Sequence, residues 1–311
     1  MNGVLVVDKP RDFTSFDVVA VMRRLCKEKK IGHTGTLDPM ATGVLPLLLG
    51  KATRAASLLE DTDKEYAASF ALGYCTDTQD STGKTLQESA KKVTKEELEA
   101  VLPCFRGNIF QLPPMYSAVQ INGQRLYDLA RQGIEVERET RPVTIYQLEL
   151  LAFDENTQSG ELLVRCSKGT YIRTICADIG EKLGTFGVMT ALRRTAAAGF
   201  SLAQTITIEE ARALSALGRL EEKVLPTEHL FLGSPAVRVT SAQANRFQNG
   251  GGLCLNRTSI LPRDRADGAV FRVLSPEGEF LGLGNVNTQK AELSVLRLFC
   301  EHTEKPNGAK A

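Results

Sequence analysis

The stretch GHTGTLDPMATGVLP, residues 32–46, decides how the rest of this chain is interpreted. It holds three glycines, two prolines and three threonines, which exclude a regular helix or a central strand and predict an ordered loop. The loop presents the carboxylate of Asp38 shortly after the imidazole of His33. An acid held on a rigid loop is a common nucleophile or general base, but an Asp-Pro pair also begins ordinary turns. The residues alone leave both interpretations open.

Four other segments accompany this loop along the chain. They are VVDKP with a following Thr-Ser pair (residues 6–10 and 14–15), KEY with a Leu-Gly pair (64–66 and 72–73), KGTYIR (168–173) and LRRT (192–195). Together with the loop they resemble the motifs of the bacterial TruB-type tRNA pseudouridine(55) synthase family. Five motifs in one order are far more specific than a single short pattern. By this resemblance the chain is identified as a member of that family.

The resemblance implies roles for individual residues. Asp38 matches the essential aspartate of the family, Arg173 matches the cation beside it, and Tyr66 matches the aromatic ring that stacks on the target uracil. The residues implied in substrate binding are His33, Lys9, Pro10, Tyr171 and Leu192. Ordinary packing is the alternative for the last four, and a core strand tyrosine is the alternative for Tyr66.

The implied reaction breaks the bond between uracil N1 and the ribose and reattaches the base through C5. Nothing is added or lost, so the sequence predicts no metal, nucleotide or redox cofactor. Asp38 can attack the base, attack the sugar or remove a sugar proton, and the sequence does not choose among these routes. Each route needs an ionised carboxylate in a pocket that excludes water, where a guanidinium can hold it through two parallel hydrogen bonds. Arg173 is expected to do this.

The implied substrate is tRNA, and the target is the uridine at position 55 in the T loop. A stacked base cannot reach an acid on the protein, so the nucleotide must flip out, which costs a few kcal/mol and is easiest in a loop. The net charge of +1 gives no general attraction for RNA, so phosphate binding must be local. One candidate patch is Arg23, Arg24, Lys27, Lys29 and Lys30, with a solvated helix face as the alternative.

A second RNA-binding feature lies in the middle of the chain. The stretch QLPPMYSA (111–118) leads to Gly123, Arg125, Tyr127 and Arg131, and mixes prolines, aromatic rings and arginines. It resembles an RNA-gripping insertion of the family, here placed at about residues 108–140. A structured loop that packs on its own domain is the alternative.

The chain is expected to have an α+β fold in two units. The first, residues 1–232, is a pseudouridine-synthase catalytic domain with a mixed, mainly antiparallel sheet and flanking helices. The second, residues 233–303, is a small C-terminal PUA-like β domain that binds RNA, and 304–311 is expected to be a disordered tail. Capping pairs predict helices after Thr14 and Thr94, and an apolar stripe predicts another helix from Ile172 to Leu183. Over Lys64–Leu72 every second side chain is apolar, which predicts a strand.

The cellular setting follows from what the sequence lacks. Seven cysteines without a CxxC pair, together with three histidines, argue against a zinc site and favour reduced thiols. No basic leader and no long apolar stretch are present, so a cytoplasmic protein without membrane contact is expected. The resemblance implies a monomer that needs no protein partner.

Two other functions compete with the enzyme. The first is a tRNA-folding chaperone or non-catalytic RNA-binding protein on the same scaffold, which would be expected to lack the aspartate or the tyrosine. Asp38, Tyr66 and Arg173 are all present. The second is a guide-dependent relative inside an RNA–protein particle. The absence of long basic tails and the presence of the insertion disfavour it.

Overall fold

The computed structural model of this chain describes residues 1–59, 63–121 and 123–300. The tail predicted over 304–311, and the last residues of the second predicted unit, lie outside this description. The fold is α+β, with one large mixed sheet, helices packed against it and a separate smaller sheet. This confirms the predicted fold class.

The helices and strands follow one another along the whole chain. The strands are β1 (Gly3–Lys9), β2 (Ile31–His33), β3 (Thr42–Leu49), β4 (Lys64–Leu72), β5 (Tyr74–Thr76), β6 (Thr85–Glu88), β7 (Gly107–Gln111), β8 (Gln120–Ile121), β9 (Gln124–Arg125), β10 (Arg141–Asp154), β11 (Ser159–Cys166), β12 (Gly187–Ala197), β13 (Phe200–Ser201), β14 (Ala236–Arg238), β15 (Leu253–Cys254), β16 (Val270–Leu274), β17 (Phe280–Asn287) and β18 (Glu292–Leu298). The helices are α1 (Ser15–Leu25), α2 (Lys95–Val101), α3 (Leu126–Arg131), α4 (Ile172–Lys182), α5 (Ile208–Ala216) and α6 (Ser241–Gln248).

The large sheet has the strand order β1-β3-β12-β4-β11-β10-β7, with β2 beside β3 and β13 beside β12. Its pairings are antiparallel except for the short parallel contact of β12 with β3. Strand β4 is central, and it buries Tyr66, Ala68, Phe70 and Leu72 on one face, as its alternation predicts.

The prediction of a loop over residues 32–46 is wrong at both ends of the segment. His33 ends β2, and the residues from Thr42 onward belong to β3, which pairs with β1 along its whole length. Pro46 has no N–H to donate, and it is tolerated because no strand pairs with β3 at this residue on the edge opposite β1. On that edge β12 pairs with β3 only up to Gly43, and β2 pairs with it only from Leu47. Only residues 34–41 lie between the strands.

Gly43 has a second role in this strand. Its φ is +105°, and a Cβ atom there would lie 2.2 Å from the carbonyl oxygen of Arg194. Glycine is therefore required for the close approach of β3 to β12. The glycine that suggested a loop is in fact what lets the two strands meet.

The predicted helices are present and begin at the predicted caps. Thr14 with Asp17 and Thr94 with Glu97 each form a complete capping box, before α1 and α2. Helix α4 buries the apolar stripe that includes Ile172 and packs on β12 and β4. No helix in the described part of the chain is long and apolar enough to cross a membrane.

The smaller sheet has the order β14-β16-β17-β18-β15 and a hydrophobic core of its own, which includes Phe247, Phe271 and Leu293. It meets the rest of the molecule through a cluster in which Phe231 packs on Phe299, with ring centroids 5.6 Å apart, and on Leu283. A separate β unit at the C-terminal end agrees with the expected fold. Its start at residue 233 remains a proposal.

Candidate active site

The loop between β2 and β3, residues 34–41, carries Asp38 at its tip. The side chain of Asp38 is 38% exposed, and its Oδ2 lies 3.0 Å from Nε of Arg173. The backbone N–H of Ala41 donates to the carbonyl oxygen of Asp38, which closes a turn. Leu37 and Met40 on either side are buried in the core below the sheet. These anchors hold the loop while the carboxylate stays accessible to a substrate.

Arg173 lies in the first turn of α4 and is only 5% exposed. Its Nη1 donates to the carbonyl oxygen of Thr78 and its Nη2 to that of Tyr116, each at 2.9 Å. Nε faces Asp38 at 3.0 Å and Asp80 at 3.8 Å. The expected pair of parallel hydrogen bonds to Asp38 is therefore not seen: Arg173 approaches Asp38 through Nε, and its Nη groups donate to main-chain carbonyls.

Asp80 is a site residue that the sequence analysis missed. It is 5% exposed, and its Oδ1 accepts hydrogen bonds from the hydroxyl of Thr78 at 2.8 Å and from the N–H of Thr82 at 3.0 Å. The available signal in the sequence is an aspartate with threonines two residues before and after it, which indicates a turn built around a carboxylate. Arg173 thus lies between two carboxylates, one buried and one accessible.

Lys9, at the end of β1, supports the loop from below. It is fully buried, and its Nζ donates to the carbonyl oxygens of Pro10 at 2.9 Å, Pro39 at 3.1 Å and Phe13. Burial lowers the pKa of Lys9 to about 8, and the negative charge of Asp38 opposes that fall. The lysine therefore connects β1 and the start of α1 to the residue that follows Asp38.

Tyr66, on β4, lies directly opposite Arg194 of β12 in the sheet register. It is 6% exposed, and burial raises the pKa of Tyr66 to about 12, against the lowering effect of the Arg194 guanidinium. The phenol is therefore protonated at neutral pH. Leu192, two residues earlier on β12, belongs to the same buried cluster as Tyr66 and Leu37.

His33 and Tyr171 lie at the edges of this arrangement. Burial lowers the pKa of His33, so its imidazole is neutral at pH 7, and its buried Nδ1 has no hydrogen-bond partner within the described residues. The backbone of Tyr171 is held by the amide side chain of Gln111, which donates to its carbonyl at 3.0 Å and accepts from its N–H at 2.7 Å. Gln111 thus fixes the start of α4, two residues before Arg173.

The structure gathers the predicted residues from five elements. Asp38 comes from the loop, Arg173 from α4, Tyr66 from β4, Leu192 from β12 and Lys9 from β1. A half-exposed carboxylate beside a buried guanidinium, above an apolar floor with a neutral phenol, suits nucleophilic or proton-abstraction chemistry on a flat ring. Across residues 1–59, 63–121 and 123–300, no three of His, Cys, Asp and Glu are grouped closely enough to hold a metal ion.

Comparison with known proteins gives two matching family models. One, described as TruB family pseudouridylate synthase (N terminal domain), matches residues 23–172, and one described as tRNA pseudouridylate synthase B C-terminal domain matches residues 173–231. The protein named tRNA pseudouridine synthase B from Clostridium tetani is 42% identical over 285 residues, covering 91% of this chain and 95% of that protein. The protein of the same name from Geobacillus thermodenitrificans is 44% identical over 289 residues, covering 91% and 94%.

Solved structures with a similar fold include chains from larger complexes. A chain in the crystal structure of a Cbf5-Nop10-Gar1 complex superimposes with a TM-score of 0.73 at 26% identity, covering 96% of this chain and 84% of that one. A chain in an H/ACA RNP bound to a substrate RNA containing 2'-deoxyuridine gives 0.73 at 23% identity, covering 98% and 87%. The second likeness concerns the fold alone.

Proposed function

Because the chain belongs to the TruB family of pseudouridylate synthases, we propose that it isomerises the uridine at position 55, in the T loop of tRNA, to pseudouridine. The relatives named tRNA pseudouridine synthase B match across about nine-tenths of the chain, so the activity is that of an isomerase acting on tRNA. The observation that carries the assignment of the site is the 3.0 Å contact between Asp38 and Arg173 on the matching loop.

In the proposed mechanism Asp38 supplies the ionised carboxylate that begins the reaction. Whether it attacks the base, attacks the sugar or removes a sugar proton, the N1–C1' bond of uridine breaks and a C5–C1' bond forms. The proton on C5 is lost and N1 gains one, so atoms and charge balance without a cofactor. Arg173 keeps the carboxylate oriented, and the positive charge on its Nε compensates the negative charge in a site from which the flipped base displaces water.

Tyr66, His33 and Leu192 would receive the flipped uridine. A neutral phenol ring can stack on uracil, and Leu192 closes the apolar floor beside it. His33 is a neutral imidazole with a free buried nitrogen, suited to hydrogen bonding within the opened T loop. Lys9, Pro10 and Tyr171 act on the substrate indirectly, through the loop and the start of α4.

Two surfaces support binding of the T stem-loop. The insertion, proposed at about residues 108–140, begins in β7 of the large sheet, and the carbonyl of its Tyr116 accepts a hydrogen bond from Arg173, which ties it to the site. The patch of five cations on and after α1 is exposed, and none of them forms an ion pair of 4 Å or less with a described acid: Arg23, Arg24, Lys27, Lys29 and Lys30. Unpaired cations near the loop suit phosphates. The PUA-like unit, proposed to begin at 233, would add a further RNA contact.

The enzyme is proposed to act as a cytoplasmic monomer without a protein partner. The identity to the relatives named tRNA pseudouridine synthase B, 42–44%, exceeds the 26% identity to the chain from the Cbf5-Nop10-Gar1 complex. A non-catalytic chaperone on this scaffold is not favoured, because the carboxylate, its cation and the ring opposite Arg194 are all in place.

The experiment that tests the substrate is the mapping of pseudouridine in an unmodified tRNA transcript. After incubation with the protein, carbodiimide treatment and primer extension should give one new stop, at position 55. A transcript with cytidine at position 55 should give none, while it binds with similar affinity. Pseudouridine at another position, or none in a transcript that binds tightly, would contradict the proposed target.

Tyr66→Phe should lower the single-turnover rate at saturating tRNA only about tenfold. The ring remains to stack, and a phenol with a pKa of about 12 is not the proton acceptor that would be worth about 10²–10⁴-fold. The shape of the pH–rate profile between pH 6 and pH 10 should be unchanged. A loss above about 100-fold together with an altered profile would instead show that the hydroxyl takes up a proton.

A further inference from the structure

Arg194 is the largest fully buried side chain among the described residues, and no role has been given to it so far. It belongs to β12, and three of its hydrogen bonds go to main-chain carbonyl oxygens on either side of Asp38. Nε donates to Val44 at 2.7 Å, Nη2 to Gly35 at 3.1 Å and Nη1 to Thr36 at 3.4 Å. Gly35 and Thr36 begin the loop that carries Asp38, and Val44 lies in the strand that follows it. One side chain therefore joins both flanks of the catalytic loop to β12.

Stability alone does not account for a charged residue at this position. No carboxylate in the described chain lies within 4 Å of the Arg194 guanidinium. Burial accordingly lowers its pKa, and its positive charge in turn lowers the pKa of His33 and Lys64. A buried charge without a counter-ion is costly, and an apolar side chain of similar volume would often be at least as stable. What arginine adds is a rigid fork of N–H donors.

The arrangement also brings Arg194 to Tyr66. The two residues are direct partners in the pairing of β12 with β4, and Gly43 allows β3 to approach on the other side. The same residue thus contacts the loop of Asp38 and lies opposite the ring proposed to hold uracil.

We propose that Arg194 is a positioning residue for pseudouridine formation, which holds residues 35 and 36 so that Asp38 lies at the sugar–base junction of a uridine stacked on Tyr66. The inference rests on the proposed roles of Asp38 and Tyr66. It assigns to Arg194 no contact with the substrate. Its effect is therefore on the rate of the bound complex rather than on the binding of tRNA.

The neighbouring Arg193 supplies a matched control. It lies on the opposite face of β12, is 42% exposed in its side chain, and pairs with Asp8 through contacts of 2.7 and 3.2 Å. It donates to Thr42 but makes no hydrogen bond to residues 35 or 36 in the structure. Replacement of Arg193 removes an arginine from the same strand without releasing the loop.

The test compares Arg194→Met, Arg194→Lys and Arg193→Gln in the full chain, by single-turnover rate at saturating tRNA, by tRNA affinity and by thermal melting. Arg194→Met should lose about 100-fold or more in rate, with affinity within about threefold of the wild type. Arg194→Lys, which keeps the charge and at least one donor but not the fork of donors, should recover only part of that loss and remain about tenfold slower than the wild type. Arg193→Gln should stay within about threefold.

A folded Arg194→Met that reacts within about threefold of the wild type would overturn the proposal. A variant that reaches the full rate at saturation and loses only affinity would overturn it as well. If Arg194→Met does not melt cooperatively, Arg194→Lys decides: the proposal requires a folded protein at least about tenfold slower than the wild type, and an unchanged rate rejects it. If the wild type converts the transcript, the proposed function stands, and the outcomes for the variants then concern Arg194 alone.

Discussion

Asp38→Asn should abolish pseudouridine formation while leaving tRNA binding within a few fold. The asparagine has the same shape, so it should fit in the same place beside Arg173, whose Nε lies 3.0 Å from the carboxylate in the structure. It lacks the negative charge that every route of the proposed mechanism requires. We expect the single-turnover rate to fall by at least about 10⁴-fold, which corresponds to roughly 5 kcal/mol of transition-state stabilisation.

The measurement is the rate at saturating tRNA together with a filter-binding affinity. Asp12→Asn is a suitable control, because Asp12 is an exposed carboxylate whose backbone N–H contacts Pro39 of the same loop. It should retain the wild-type rate. If Asp38→Asn keeps more than about 1% of the rate, Asp38 is not the reactive group.

Arg173→Met should have the second largest effect, on rate and on stability together. It removes hydrogen bonds to the carbonyls of Thr78 and Tyr116 and leaves Asp80 buried without its nearby cation. Breaking a buried charge network by removal of one partner typically costs about 3–5 kcal/mol. The rate should fall by about 10³-fold or more, because Asp38 loses its orienting contact.

Two further variants separate the loss of stability from the loss of rate. Arg173→Lys keeps a charge but not the fork geometry, so its stability should recover more than its rate. Asp80→Asn keeps the hydrogen-bonded turn around Thr78 and Thr82, and should leave the fold intact and reduce the rate by about tenfold. Chemical denaturation measures the stability of each variant, and the single-turnover assay measures its rate. An Arg173→Met protein with the wild-type rate would remove the arginine from the mechanism.

Much of the fold was predictable because its signals are local. Capping boxes at Thr14 and Thr94, and the alternation from Lys64 to Leu72, involve residues within one turn or one strand, and the structure has each element where the pattern indicates it. The loop predicted over residues 32–46 failed for a non-local reason. Pro46 and Gly43 are accommodated by where β12 and β2 meet β3, which no window of sequence reveals.

The same distinction applies to the site. Asp38, Arg173 and Tyr66 are far apart in sequence, and only the resemblance to a family brought them together before the structure did. The sequence does not reveal the burial of Asp80 and Arg194, because a charged side chain is expected at the surface unless its partners are known. The threonines around Asp80 were an available signal. For Arg194 the only signal was its place in the LRRT motif, beside the more exposed Arg193.

The most direct test of the central claim is the release of tritium from tRNA transcript labelled at uridine C5, measured for the wild type and Asp38→Asn under single-turnover conditions. Replacement of the C5 hydrogen by the bond to ribose releases one tritium for each uridine converted. The wild type should release one equivalent of tritium per tRNA. Asp38→Asn should release none, and the wild type should release none when position 55 is cytidine. Tight binding of tRNA by the wild type without release of tritium would show that the protein is not a pseudouridine synthase for this substrate.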